Sequence, residues 1–231
     1  MEAIQITPHL GLDSTKHEAY NTIATNLIFA RPNGGVIAVS SPRSKTGRSI
    51  ATLGLAVALV NAGRSVLVID GDLRTGALSA LSGVSEVAGL SSVLFSKATA
   101  EACILETDQP KLSILAAGEL LPDPTSVLSS DALVGLLSSL KEQNADFILI
   151  DTPAVLPTAD GSLIAAAADC SILYVPKNSV SRRELRAARA QLEKCGHPAI
   201  GVIVGNAPAK SRLSFLSRFS FFGKKAKSNA R

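Results

Sequence analysis

A chain of 231 residues is long enough for one α/β domain with a sizeable core. Hydrophobic residues make up 46% of it and aromatic ones only 4%, with no Trp and two Tyr, so the apolar mass is aliphatic and a carbohydrate-stacking surface is disfavoured. The net charge of +4 is unevenly placed: residues 207–231 hold seven cations and no acid, leaving 16 basic against 19 acidic residues elsewhere, so the basic character belongs to a tail.

From the start of the chain, no apolar run suits a secretory signal, and none anywhere is long enough to span a bilayer. A cytoplasmic location is the expectation. A helix is predicted over 16–30, broken by Pro32, Asn33, Gly34 and Gly35. Strands follow at 36–40, 65–70, 112–116, 147–151, 171–175 and 200–204, and several are continuous apolar runs, as in parallel strands covered on both faces. Helices are predicted between them at 49–62, 130–143, 160–168 and 181–194. In the second of these, Leu133, Leu136, Leu137 and Leu140 form one apolar stripe. Residues 121–130, with Pro122 and Pro124, read as a loop. Strand, helix, strand in succession predicts right-handed crossovers and a mostly parallel sheet with helices on both faces.

Cys103, Cys170 and Cys195 stand far apart, which excludes a tight zinc knuckle and fits reduced core thiols. His9, His17 and His197 share no ligand spacing. Arg182, Arg183, Arg186 and Arg189 with Glu184 and Glu193 read as a solvated helix face, with partner docking as the alternative.

The chemistry gathers at three strand ends. The first strand runs into Ser40-Ser41-Pro42-Arg43-Ser44-Lys45-Thr46-Gly47-Arg48-Ser49 ahead of a helix. That is the order of a P-loop, whose amides and helix dipole cradle phosphates while the hydroxyl binds Mg²⁺. Taken alone, the segment also reads as a polar turn capped by Ser49. The second strand ends in Asp70-Gly71-Asp72-Leu73-Arg74 and the fourth in Asp151-Thr152-Pro153. Carboxyl ends of parallel strands converge on the ligand crevice, so Asp70, Asp72 and Asp151 are expected around a nucleotide-bound Mg²⁺.

Several segments are similar to the CpsD/CapB family of bacterial tyrosine kinases, built on the P-loop scaffold of the partition and division-site ATPases. They are Glu18-Ala19-Tyr20, Thr25-Asn26-Leu27, the loop itself, Ile69-Asp70-Gly71-Asp72-Leu73-Arg74, Gly89-Leu90-Ser91-Ser92-Val93-Leu94, Leu121-Pro122-Asp123-Pro124, Leu128-Ser129-Ser130 and Ile150-Asp151-Thr152-Pro153-Ala154-Val155-Leu156-Pro157. The resemblance covers residues 16–206. It implies ATP and Mg²⁺ as cofactors, phosphorylation of protein tyrosines, and a membrane-spanning polysaccharide co-polymerase or activator as partner. On this sequence it implies nucleotide contacts from Lys45, Thr46, Gly47, Arg48, Ser49, Ile50 and Asn206. It further implies metal ligation by Ser49, Asp72 and Asp151, and catalytic roles for Asp70, Asp72, Arg74 and Arg48. The division of the chain is then an N-terminal segment with a helix (1–34), a P-loop kinase-like domain (35–206) and a basic tail (207–231).

The chain departs from the family at four places. Arg48 replaces the loop lysine, and Lys45 stands where glycine is usual. The family's homo-oligomer motif, Glu-x-x-Arg-x-x-Arg, is here Glu18, Asn21 and Ala24. The only tyrosines are Tyr20 and Tyr174, so no autophosphorylation of a tail is expected. Phe215, Leu216, Phe219 and Phe222 recur at helical spacing among the tail cations, which suits an amphipathic segment on an anionic membrane surface. A disordered basic tail is the alternative, and no nucleic-acid partner is expected. Two functions stand open: a tyrosine kinase of capsule or exopolysaccharide assembly, and a non-catalytic nucleotide-binding regulator of the same machinery. A partition-type ATPase is a third.

Overall fold

The computed structural model describes residues 4–6, 14–142, 145–196 and 199–205. Its strands grow from the short aliphatic runs: β1 (Gly35–Ser40), β2 (Val66–Asp70), β3 (Ile104–Glu106), β4 (Leu112–Leu115), β5 (Phe147–Asp151), β6 (Cys170–Pro176) and β7 (Ala199–Gly205). They form one sheet in the order β3-β4-β2-β5-β1-β6-β7, parallel throughout except for β3, which runs antiparallel to β4 at the edge. The predicted P-loop α/β architecture is the observed one.

Alternation along each strand splits the core in two. Ala38, Leu67, Ile69, Ile148 and Ile150 face one side, under α7 (Asp131–Glu142), α8 (Asp160–Ala167) and α9 (Arg182–Lys194), which follow α3 (Ala77–Leu81), α4 (Leu90–Leu94), α5 (Ala100–Cys103) and α6 (Thr125–Leu128) in the chain. Ile37, Val66, Val68, Phe147 and Leu149 face the other, under α1 (Ser14–Ala30) and α2 (Arg48–Asn61).

Helix α2 lies between α1 and the sheet, which explains its run of small and aliphatic residues, buried from Ala51 to Leu59. Gly54 makes that layering feasible. A Cβ there would lie 2.7 Å from ring atoms of Tyr20 on α1. The helix predicted at 16–30 is α1, and its Ala24 and Leu27 are buried in this core.

The register places the chemistry. Asp70 is the direct neighbour of Asp151 at the carboxyl ends of β2 and β5, and Val39 of β1 pairs with Asp151 from the other side. The loop leaving β1 therefore lies beside both carboxylates. Among the described residues, no helix is long and apolar enough to cross a membrane.

Candidate nucleotide site

The loop between β1 and α2 closes through two left-handed residues, Lys45 at φ 56° and Gly47 at φ 86°. Glycine takes that conformation freely and lysine at a cost. Gly47 stands at the start of α2, and no side chain caps the helix there. The first turn of a helix carries amides without intrahelical partners, and this is the physical basis of a phosphate cradle. Thr46 adds a buried hydroxyl with no hydrogen-bond partner, while Lys45 and Ile50 are exposed. Ser49 does not cap the turn. Its hydroxyl donates to Asp151 Oδ2 at 2.5 Å.

Arg48 turns inward. Its side chain is 6% exposed, and its guanidinium donates from Nε to Asp151 Oδ1 (2.6 Å), from Nη1 to Ser41 Oγ (3.2 Å) and from Nη2 to Asp72 Oδ2 (3.4 Å). Thr52, one turn into α2, donates to the Arg48 carbonyl at 3.1 Å and lies 3.5 Å from Asp151 Oδ1. Burial raises the Asp151 carboxyl above its ordinary range, opposed by Arg48 and Ser49. Arg48, Ser49, Asp72 and Asp151 thus come together.

Asp70 and Arg74 are engaged elsewhere. Asp70 accepts from the Ser79 amide (2.8 Å), the Ser79 hydroxyl (2.7 Å) and the Asp72 amide (3.1 Å), so its carboxylate holds the turn after β2. Burial, then the neighbouring Asp151, pushes Asp70 up to about 7. Arg74 reaches across the loop to Asp160 Oδ2 (2.5 Å) and the Pro122 carbonyl (2.6 Å), with Asp123 at 3.4 Å. Asn206, His9, His197 and the tail residues lie outside the described residues.

Sequence reasoning missed three of the polar partners. Asp160 is fully buried at the first turn of α8 and accepts from both Arg74 and Thr125. Ser41 and Thr52 hold the Arg48 head and carbonyl. Asp160 was legible only as a helix start, because its partner Arg74 is 86 residues away. On the arginine-rich face of α9, Arg182, Arg183 and Arg186 are exposed, while Ser181 and Glu184 form a capping box at its start and Glu184 also takes Arg43 from the loop at 2.5 Å.

Mg²⁺ seeks six oxygens at about 2.1 Å. The two oxygens of Asp151 accept from Arg48 and Ser49, and those of Asp72 from Arg48 and the Thr75 amide. Among the described residues, no group of three His, Cys, Asp or Glu is placed to hold a metal ion. With Arg48 in this position, the carboxylates do not fit the cation.

A phosphate-type loop after β1, flanked by carboxylates from β2 and β5 of a parallel sheet, defines a P-loop nucleotide-binding domain. No protein-family model matches the chain. The tyrosine-protein kinase CpsD of Streptococcus agalactiae is 30% identical over 188 residues, covering 81% of this chain and 82% of the relative. The crystal structure of the chimerical protein CapA2B2 is similar with a TM-score of 0.77 and 27% identity, over 83% of this chain and 85% of that one. The septum site-determining protein MinD from Pyrococcus horikoshii, complexed with Mg-ADP, gives a TM-score of 0.66 and 27% identity, over 80% and 77%. The chain belongs to the CpsD/CapB family of bacterial tyrosine kinases.

Proposed function

We propose that the chain binds ATP in the loop 41–50 and transfers its γ-phosphoryl group to protein tyrosines, in the assembly of a capsule or exopolysaccharide. The observation that carries this is the convergence of the loop with Asp72 and Asp151 in a member of this family. Phosphoryl transfer depends mainly on positioning and on charge stabilisation around the phosphates. Gly47 and the amides at the head of α2 would hold the β-phosphate, and Thr46 supplies a hydroxyl that has no other partner. Asp72 is the candidate for the acceptor hydroxyl. Arg74 and Asp160 position the segment 121–125 beside it. Ser49, Asp72 and Asp151 are the residues expected for Mg²⁺, but Arg48 holds both carboxylates and they do not fit the cation.

That hold favours a second reading, a non-catalytic nucleotide-binding regulator. Incubation of the full chain with ATP and a tyrosine copolymer separates the two. Phosphotyrosine above an Asp72→Asn control supports the kinase. Nucleotide binding without transfer supports the regulator, and no binding refutes both.

The partner class is a membrane-spanning polysaccharide co-polymerase, met at the inner face of the membrane. The seven cations of residues 207–231, interleaved with Phe215, Phe219 and Phe222, support peripheral attachment there. Sedimentation with anionic vesicles, for the full chain and for one ending at residue 206, tests the attachment; equal binding refutes it.

A further inference from the structure

We propose that the guanidinium of Arg48 takes the place of the divalent cation, so that this chain binds the diphosphate group of a nucleotide independently of Mg²⁺. The inference rests on the nucleotide reading above and adds to it how the site is charged.

Asp72 and Asp151 leave neighbouring strand ends, and two carboxylates brought together with so little water need a cation between them. In a metal-dependent site that cation arrives with the nucleotide. Here the chain supplies it. Arg48 spends three of its five N–H donors on Asp151, Asp72 and Ser41. The guanidinium is a planar fork of fixed donors, so it can bridge the two carboxylates in a way that a lysine's ammonium would not. A compact ammonium on a flexible stem can leave the carboxylates when phosphates arrive. A planar fork fixed to three partners, beneath the hydroxyl of Thr52 that holds its own backbone carbonyl, is tied down.

Ser49 is bound into the same arrangement. Its hydroxyl donates to the second oxygen of Asp151, so both acceptor atoms of that carboxylate are in use. A dication entering between Ser49 and Asp151 would meet the Arg48 charge directly and would have to break a buried ion pair. The phosphate-holding features are, by contrast, intact and do not depend on metal. They are the uncapped start of α2, the left-handed Gly47 and the unpartnered buried hydroxyl of Thr46.

Calorimetric titration of the full chain with ADP, once in Mg²⁺ and once in excess EDTA, tests the proposal. The expected affinities agree within about threefold, and Arg48→Lys binds at least about tenfold more tightly with Mg²⁺ than without it. Wild-type binding that falls about tenfold or more in EDTA overturns the proposal while leaving the nucleotide reading in place. Absence of binding in both buffers overturns that reading too. An Arg48→Lys protein that is equally indifferent to Mg²⁺ shows that Arg48 is not the substitute cation. Should that variant fail to fold, the two wild-type titrations decide the matter alone.

Discussion

Arg48 and Asp151, 103 residues apart in the chain, form a 2.6 Å ion pair with side chains 6% and 0% exposed. A buried pair of this kind adds little over an apolar contact of the same shape, but removing one partner strands the other charge. Arg48→Ala and Asp151→Asn should each cost about 3–5 kcal/mol in urea unfolding. The double variant should lose less than the sum, with a coupling of about 0.5–3 kcal/mol. An additive cycle would show that the pair is not formed in solution.

The loop carries its own strain. Lys45 holds φ 56° without a glycine's freedom, so Lys45→Gly should stabilise the fold by about 1 kcal/mol. Combined with Arg48→Lys, it should also raise phosphotransfer to a tyrosine peptide severalfold over the parent, because the shorter ammonium releases Asp72 and Asp151. Asp72→Asn in the same background serves as the inactive control. An unchanged rate at equal nucleotide affinity would place the limitation elsewhere, the missing oligomer arginines at Asn21 and Ala24 being the next candidates.

Arg74 works as a strut. Its ion pair with the fully buried Asp160 and its bond to the Pro122 carbonyl hold residues 121–125 against α8. Asp160→Asn keeps the shape and weakens the charge-assisted bonds, which are worth roughly 1.5–3 kcal/mol each. Limited proteolysis should then cut within 121–125 faster than in the parent, with nucleotide affinity unchanged. Equal cutting rates would mean that the strut does not hold the loop.

Asp70 gives the fold a pH dependence of definite sign. Burial, and after it the neighbouring Asp151, pushes its carboxyl up from the ordinary 3.8 to about 7 in the folded chain. The folded state therefore keeps a proton that the unfolded chain has lost. The stabilisation is complete below about pH 4 and is lost as pH rises through about 7, at up to about 1.4 kcal/mol per unit. Asp70→Asn should flatten that slope between pH 5 and 7.5, even though it lowers stability at both ends. A slope unchanged by the substitution would assign the titration to another group.

Most of the fold was legible because parallel strands buried on both faces are continuous aliphatic runs, and 147–151 or 66–70 can hardly be read otherwise. Ile104–Glu106 could not be read: three residues on an antiparallel edge leave no room for a period to show. The one-turn helix Thr125–Leu128 hid in a Pro-containing segment for the same reason of length. At the site, residue types in the loop and at the strand ends put forward Arg48, Ser49, Asp70, Asp72 and Asp151. They did not reveal which way each side chain turns. Arg48 could face the phosphates or the carboxylates, and Asp70 the cleft or Ser79. Those choices depend on partners such as Ser41, Thr52, Ser79 and Asp160, whose positions emerge only from the packed sheet.

If Arg48, rather than a metal ion, neutralises Asp72 and Asp151, a crystal structure of the full chain grown with ADP and Mn²⁺ should show it through the anomalous signal of manganese. The expected result is a diphosphate in the loop around Gly47, the guanidinium still bonded to Asp151 and Asp72, and no anomalous peak beside Ser49. A manganese peak within coordination distance of Ser49 and Asp151, with Arg48 displaced toward the phosphates, would contradict it.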